Sequence, residues 1–160
     1  MKANRLVFTL LLLLSAAVFR LPAQQTETDR KQLEEVKAKA EAGDADSELQ
    51  LGLRYSDGEG VARDLAEAVK WFRKAAEQNV AEAQYNLGVC YATGLGVAKD
   101  EVEGYKWFLL AAGQGNELAK KNVAVLDSRL TREQIAEGQK LARNFKPRVT
   151  DSTLAPRGQR

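Results

Sequence analysis

One segment of this chain occurs twice, the second copy 36 residues after the first. Leu51, Gly52, Tyr55, Gly58, Gly60, Asp64 and Trp71 return as Leu87, Gly88, Tyr91, Gly94, Gly96, Asp100 and Trp107. Residues 46–81 and 82–117 agree at 15 of 36 positions, where average composition gives roughly two or three. A period of this length marks small helical units that cannot bury their apolar faces alone and do so by stacking. The expected fold is all-α, a right-handed α-solenoid of antiparallel helix pairs.

Each unit reads as helix A, glycine turn, helix B. Helix A of the first repeat is expected over 46–57, with Ser47, Leu51, Gly52 and Tyr55 on one face at three- and four-residue steps. Gly52 and Gly88 fall inside helices, where Gly costs ~1 kcal/mol against Ala. A cost repeated at one register implies a repeated reason, the close approach of helix B. Gly58 and Gly94 suit a left-handed helix end, and Val61 and Val97 would pin the turn to the core. Asp64 and Asp100 precede Glu67 and Glu103 by the spacing of a capping box. Helix B then buries Ala68, Phe72, Ala75 and Ala76, with Val69 alongside and Trp71 at the edge. Gly104, Tyr105, Phe108, Ala111 and Ala112 take these places in the second repeat. Both tryptophans are read as core.

The ends carry partial copies. Leu33, Val36 and Ala40 match the last part of a helix B, and Asp29 with Gln32 gives its capping spacing. Residues 117–127 match a third helix A through Ala119, Val123 and Ala124. Thr131 and Gln134 form a capping box, with Leu130 and Ile135 as a hydrophobic staple, opening a last helix over about 132–145 that buries Ile135, Leu141 and Ala142. The domain expected is 29–145: a half repeat 29–45, repeats 46–81 and 82–117, then a partial repeat and cap helix 118–145. Residues 24–28 are expected as a linker and 146–160 as a disordered basic tail.

Residues 1–23 have the layout of a secretory signal peptide. Lys2 and Arg5 precede an apolar run from Leu6 to Phe19, and Leu21-Pro22-Ala23 offers a cut after Ala23. The run is short of the roughly 20 residues of a membrane span. The alternative is an uncleaved N-terminal anchor, the one circumstance in which the chain would be held at a membrane. The expected location is therefore exported, periplasmic or secreted. The first 23 residues hold three basic groups and no acidic one, and the tail is net basic, so the body between them is acidic despite the overall charge of +2. An acidic body does not attract nucleic acid.

These residues resemble the Sel1-like repeat, a relative of the tetratricopeptide repeat. Its pattern runs Leu-Gly-x-x-Tyr, x-x-Gly-x-Gly-Val, x-x-Asp, then a Trp and an Ala-Ala pair. The second copy follows it through Ala83, Leu87, Gly88, Tyr91, Gly94, Gly96, Val97, Asp100, Trp107, Ala111 and Ala112. Gly104 stands where Ala is usual, and Leu110 where Lys is. The resemblance covers about 36–127 and implies an adaptor or scaffold for protein complexes. A cysteine-rich subset of the family, linked to β-lactam binding, has a disulfide in each repeat. This chain has Cys90 alone, so that activity is not carried over.

No enzyme is expected. The chain has no His and one Cys, so neither a His-based triad nor a thiolate–imidazole pair can be built, and no spacing suits a metal. No cofactor is implied. The expected partner is a protein or peptide. Its expected seat is a small apolar groove on the A helices formed by Leu49, Leu53, Tyr85 and Val89, with Val125 of the third helix A. The alternative is that so few repeats curve tightly enough to bury these side chains among themselves. The chain is read as an exported adaptor. Other readings are a small subunit or inhibitor of an envelope complex, or a ligand-binding protein of the cysteine-rich type.

Overall fold

In the computed structural model, residues 21–148 are described, and they form seven α-helices with no strand among the described residues. These are α1 (Leu21–Glu41), α2 (Ala45–Asp57), α3 (Leu65–Glu77), α4 (Ala81–Thr93), α5 (Glu101–Gly113), α6 (Glu117–Asp127) and α7 (Arg132–Asn144). Among the described residues, 21–35 belong to one compact unit and 36–148 to another, and both complete repeats lie in the second. In the first unit Glu27 pairs with Arg30 at 2.6 Å along the surface of α1. The signal segment falls outside the described residues up to position 20.

Pairs α2–α3 and α4–α5 are the helix A and helix B units. Both A helices end alike: Gly58 and Gly94 have φ of 78° and donate to the carbonyls of Arg54 and Cys90 at 2.8 Å. The mid-helix glycines have the expected reason. A Cβ on Gly52 would stand 2.6 Å from the Phe72 ring, and one on Gly88 2.7 Å from the Phe108 ring. The B helices start on Asp64 and Asp100, whose carboxylates accept the Glu67 and Glu103 amides at 3.0 Å.

The other half of that capping box is not formed. The Asp64 and Asp100 amides donate instead to the carbonyls of Tyr55 and Tyr91, at 2.9 and 2.8 Å. With that donor taken, Glu67 and Glu103 turn to Lys70 and Lys106. The amide-to-tyrosine bond ties each B helix to the A helix before it, which a local cap cannot do.

Two apolar clusters form the core. One joins Ala68, Phe72, Ala75, Ala76, Ala83, Leu87, Cys90 and Trp107, with Val97 packed against it. The other joins Tyr105, Phe108, Ala111, Ala119, Leu126 and Leu130, with Ile135 against it. Trp71 and Trp107 are buried. Burial pushes the Cys90 thiol pKa up, as suits a small core residue.

Three boundaries differ from expectation. Helix α1 begins before Asp29 and takes in 24–28, so Asp29 and Gln32 lie inside a helix rather than at its start. In α7 the Thr131–Gln134 capping box is present, but the residue it buries is Gly138, while Ile135, Leu141 and Ala142 stay half-exposed. A Cβ at Gly138 would stand 2.7 Å from the Tyr105 ring; the helix rests on α5 at the point where it has no side chain. Finally, 146–148 are not a loose tail. Phe145 packs on the first cluster, and Arg148 donates from its backbone to the Glu77 carbonyl at 2.7 Å. Residues 149–160, the rest of the expected tail, lie outside the described residues.

Candidate functional site

Helices α4, α5 and α6 enclose an open concavity of about 300 Å³. Tyr85, Val89 and Ala92 come from one stripe of α4, at steps of four and three. Phe108 reaches it from α5, and Val125 and Leu126 from α6. Tyr85 and Phe108 meet at 5.9 Å between ring centroids, tilted by 45°. Val125 is 51% exposed, a large apolar side chain left open to water.

The rim is polar. Arg129 holds Glu101 at 2.8 Å, and Glu101 also faces Lys99 at 3.1 Å. The Thr93 hydroxyl donates to the Val89 carbonyl at 2.7 Å, so it is engaged with its own helix. Nothing in this lining is a nucleophile paired with a base. Among the described residues no group of three His, Cys, Asp or Glu is placed to hold a metal. The lining offers apolar contact and a charged edge.

Tyr85, Val89 and Val125, three of the residues expected to line a groove, are brought together here. Leu49 and Leu53 are not. Leu49 is 9% exposed within the first core cluster, and Leu53 packs against the same cluster. Phe108 was read only as core, and Leu126 was not singled out; both line the floor of the concavity while staying 2% and 3% exposed.

A second set of polar residues was missed. Glu48 and Gln84 are 2% and 0% exposed, at the same register of α2 and α4. Gln78 donates to Glu48 at 2.7 Å, and Gln114 donates to Gln84 at 2.8 Å. Each bond ties the end of a B helix to the start of the A helix 30 positions earlier. The recurrence of Gln78 as Gln114, opposite an isosteric Glu/Gln pair, was the available signal.

A family model described as the Sel1 repeat matches residues 45–80 and 81–116, keeping the 36-residue period. Residues 45–116 are thus two Sel1 repeats. A crystal structure of a protective antigen from uropathogenic Escherichia coli, displaying an SLR fold, superposes with a TM-score of 0.71 at 33% identity over 81% of this chain. A Sel1 repeat protein from Oxalobacter formigenes gives a TM-score of 0.56 at 36% identity over 57% of this chain. The secretory immunoglobulin A-binding protein EsiB of Escherichia coli is 49% identical over 43 residues, 27% of this chain. These relatives are longer. The matches span 28% and 26% of the two solved chains and 9% of EsiB. Sel1 repeat proteins are helical scaffolds that generally mediate protein–protein interaction. No helix among the described residues is long and apolar enough to cross a membrane.

Proposed function

We propose that this chain is an exported, non-enzymatic adaptor that seats a segment of a protein partner in the α4–α5–α6 concavity. The observation that carries the reading is that concavity: an open apolar lining of Tyr85, Val89, Phe108 and Val125, with Arg129 and Glu101 at its edge. An exposed apolar surface rimmed by charge is the usual form of an interaction site. The apolar run Leu6–Phe19 supports export. EsiB, by its name, binds an immunoglobulin, which supports protein binding as the class of activity and leaves the partner of this chain to experiment.

The seat lies where the two repeats diverge. Tyr85 replaces Leu49, and Val89 replaces Leu53. A photo-crosslinking residue at Val125 should capture a discrete partner from the native envelope fraction, and Val89→Arg, which fills the concavity, should abolish the product. The same residue at Leu95, exposed but outside the concavity, serves as control. Equal products from both positions, or a product that survives Val89→Arg, would reject the seat.

A further inference from the structure

The four residues after α7 lie outside every repeat and yet are bonded to two of them. Phe145 sets its ring edge-on to Trp107 of α5, with centroids 5.5 Å apart and planes at 70°. The Arg148 backbone donates to the Glu77 carbonyl, and its guanidinium reaches the Lys74 carbonyl at 3.5 Å and the Glu48 carboxylate at 3.6 Å. Units of a solenoid touch their neighbours. This segment instead carries the end of the array back to the α2–α3 pair.

The receiving side has a defined chemistry. The carbonyls at the end of α3 carry the negative end of the helix dipole, which favours a cation. Behind them Glu48 is buried. The second repeat shows what Glu48 is not needed for: Gln84, at the same register, accepts the equivalent hydrogen bond without charge. The negative charge is therefore additional to the repeat's own architecture. A buried carboxylate is costly unless a cation faces it; among the described residues Arg148 forms the ion pair with it, and Lys74 adds to the attraction.

We infer that α2, α3 and α5 build a slot for an aromatic–x–x–arginine segment, that residues 145–148 fill it in cis, and that the charge of Glu48 decides whether it is filled. Burial pushes the Glu48 carboxyl above the usual carboxylate range, against the pull of Gln78, Arg148 and Lys74; Asp44 at the start of α2 adds to the rise, with Lys39 beside it. On acidification Glu48 becomes neutral, keeps a Gln84-like hydrogen bond to Gln78 and lets Arg148 go. Opening uncovers the Trp107 ring.

The test reads the strap directly. In the full chain, Glu48→Gln should melt cooperatively, because the second repeat folds around Gln at this register. It should lower the protection of the Arg148 amide against hydrogen exchange at least tenfold. Protection in the unaltered chain should fall as pH drops through the raised Glu48 pKa, and should be flat with pH in Glu48→Gln. A chain carrying Phe145→Ala and Arg148→Ala should bind a synthetic peptide of residues 143–150, shifting the Trp107 indole resonance, and added Glu48→Gln should weaken that binding at least tenfold. Full Arg148 protection in Glu48→Gln overturns the inference, as does a folded double variant that ignores the peptide. Should the double variant fail to fold, the exchange measurement on Glu48→Gln decides alone.

Discussion

Gly88 lies against the Phe108 ring so closely that a Cβ would stand 2.7 Å from it. The same pairing recurs between Gly52 and Phe72. Gly88→Ala gains about 1 kcal/mol of helix propensity and incurs about 1–3 kcal/mol of overpacking, because a buried aromatic ring has no free direction to move. The net should be a loss, read as a lower urea midpoint with unchanged slope. An unchanged or higher midpoint would show that the Phe108 ring can shift.

Trp107 is 5% exposed and supports Phe145, while Trp71 is 8% exposed. Truncating either to Ala should cost about 3–5 kcal/mol, a large part of a small domain's stability. The two differ in their polar atom. Trp71 Nε1 is buried with no hydrogen-bond partner among the described residues, so Trp71→Phe removes a cost of about 1–3 kcal/mol as well as some packing. Thermal melts should rank Trp71→Phe well above Trp71→Ala.

Gly94 ends α4 at φ 78°. Gly94→Ala should cost about 1–2 kcal/mol, since a Cβ in the left-handed region meets the following carbonyl. Gly94→Asn should cost less, as Asn tolerates that region. Denaturant titration of the pair separates backbone strain from lost space: equal losses would point to the contact with Lys99 rather than to φ.

Tyr105 donates to Asp127 at 2.5 Å, tying α5 to α6. Burial, helped by the negative charge of Asp127, pushes the phenol pKa up to about 12. A raised folded pKa means that stability present below the unfolded value, about 10, is lost as pH climbs through 12. An absorbance titration at the phenolate band should show this late step, and Asp127→Asn should bring it to lower pH. A Tyr105 step that is unmoved in that variant would leave burial as the whole cause.

The helix pairs were legible because their determinants are local and repeated. Gly58 and Gly94 need a left-handed φ wherever the rest of the chain goes, and Asp64 and Asp100 cap the residues that follow them. Even so, Glu67 and Glu103 were misassigned, because their expected partners, the Asp64 and Asp100 amides, are claimed by tyrosine carbonyls nine positions back. A local motif yields when a tertiary acceptor reaches the donor first.

The groove shows the same division. Leu49 and Tyr85 hold equivalent positions, so periodicity alone placed both at the seat. Leu49 is buried and Tyr85 lines an opening, since burial depends on what stands over each A helix. Gly138 gave no periodic signal, because its role is to let Tyr105 pass.

The sequence by itself determined the repeat, its helix starts and stops and its core stripe. These follow from backbone φ, capping and the 3.6-residue period, which act over a few positions. Only the tertiary structure decided that Phe145 meets Trp107 and that Arg148 faces Glu48. Those contacts join residues far apart in the chain, and their energy comes from burial and from charge held at short range, neither of which exists until the array has stacked.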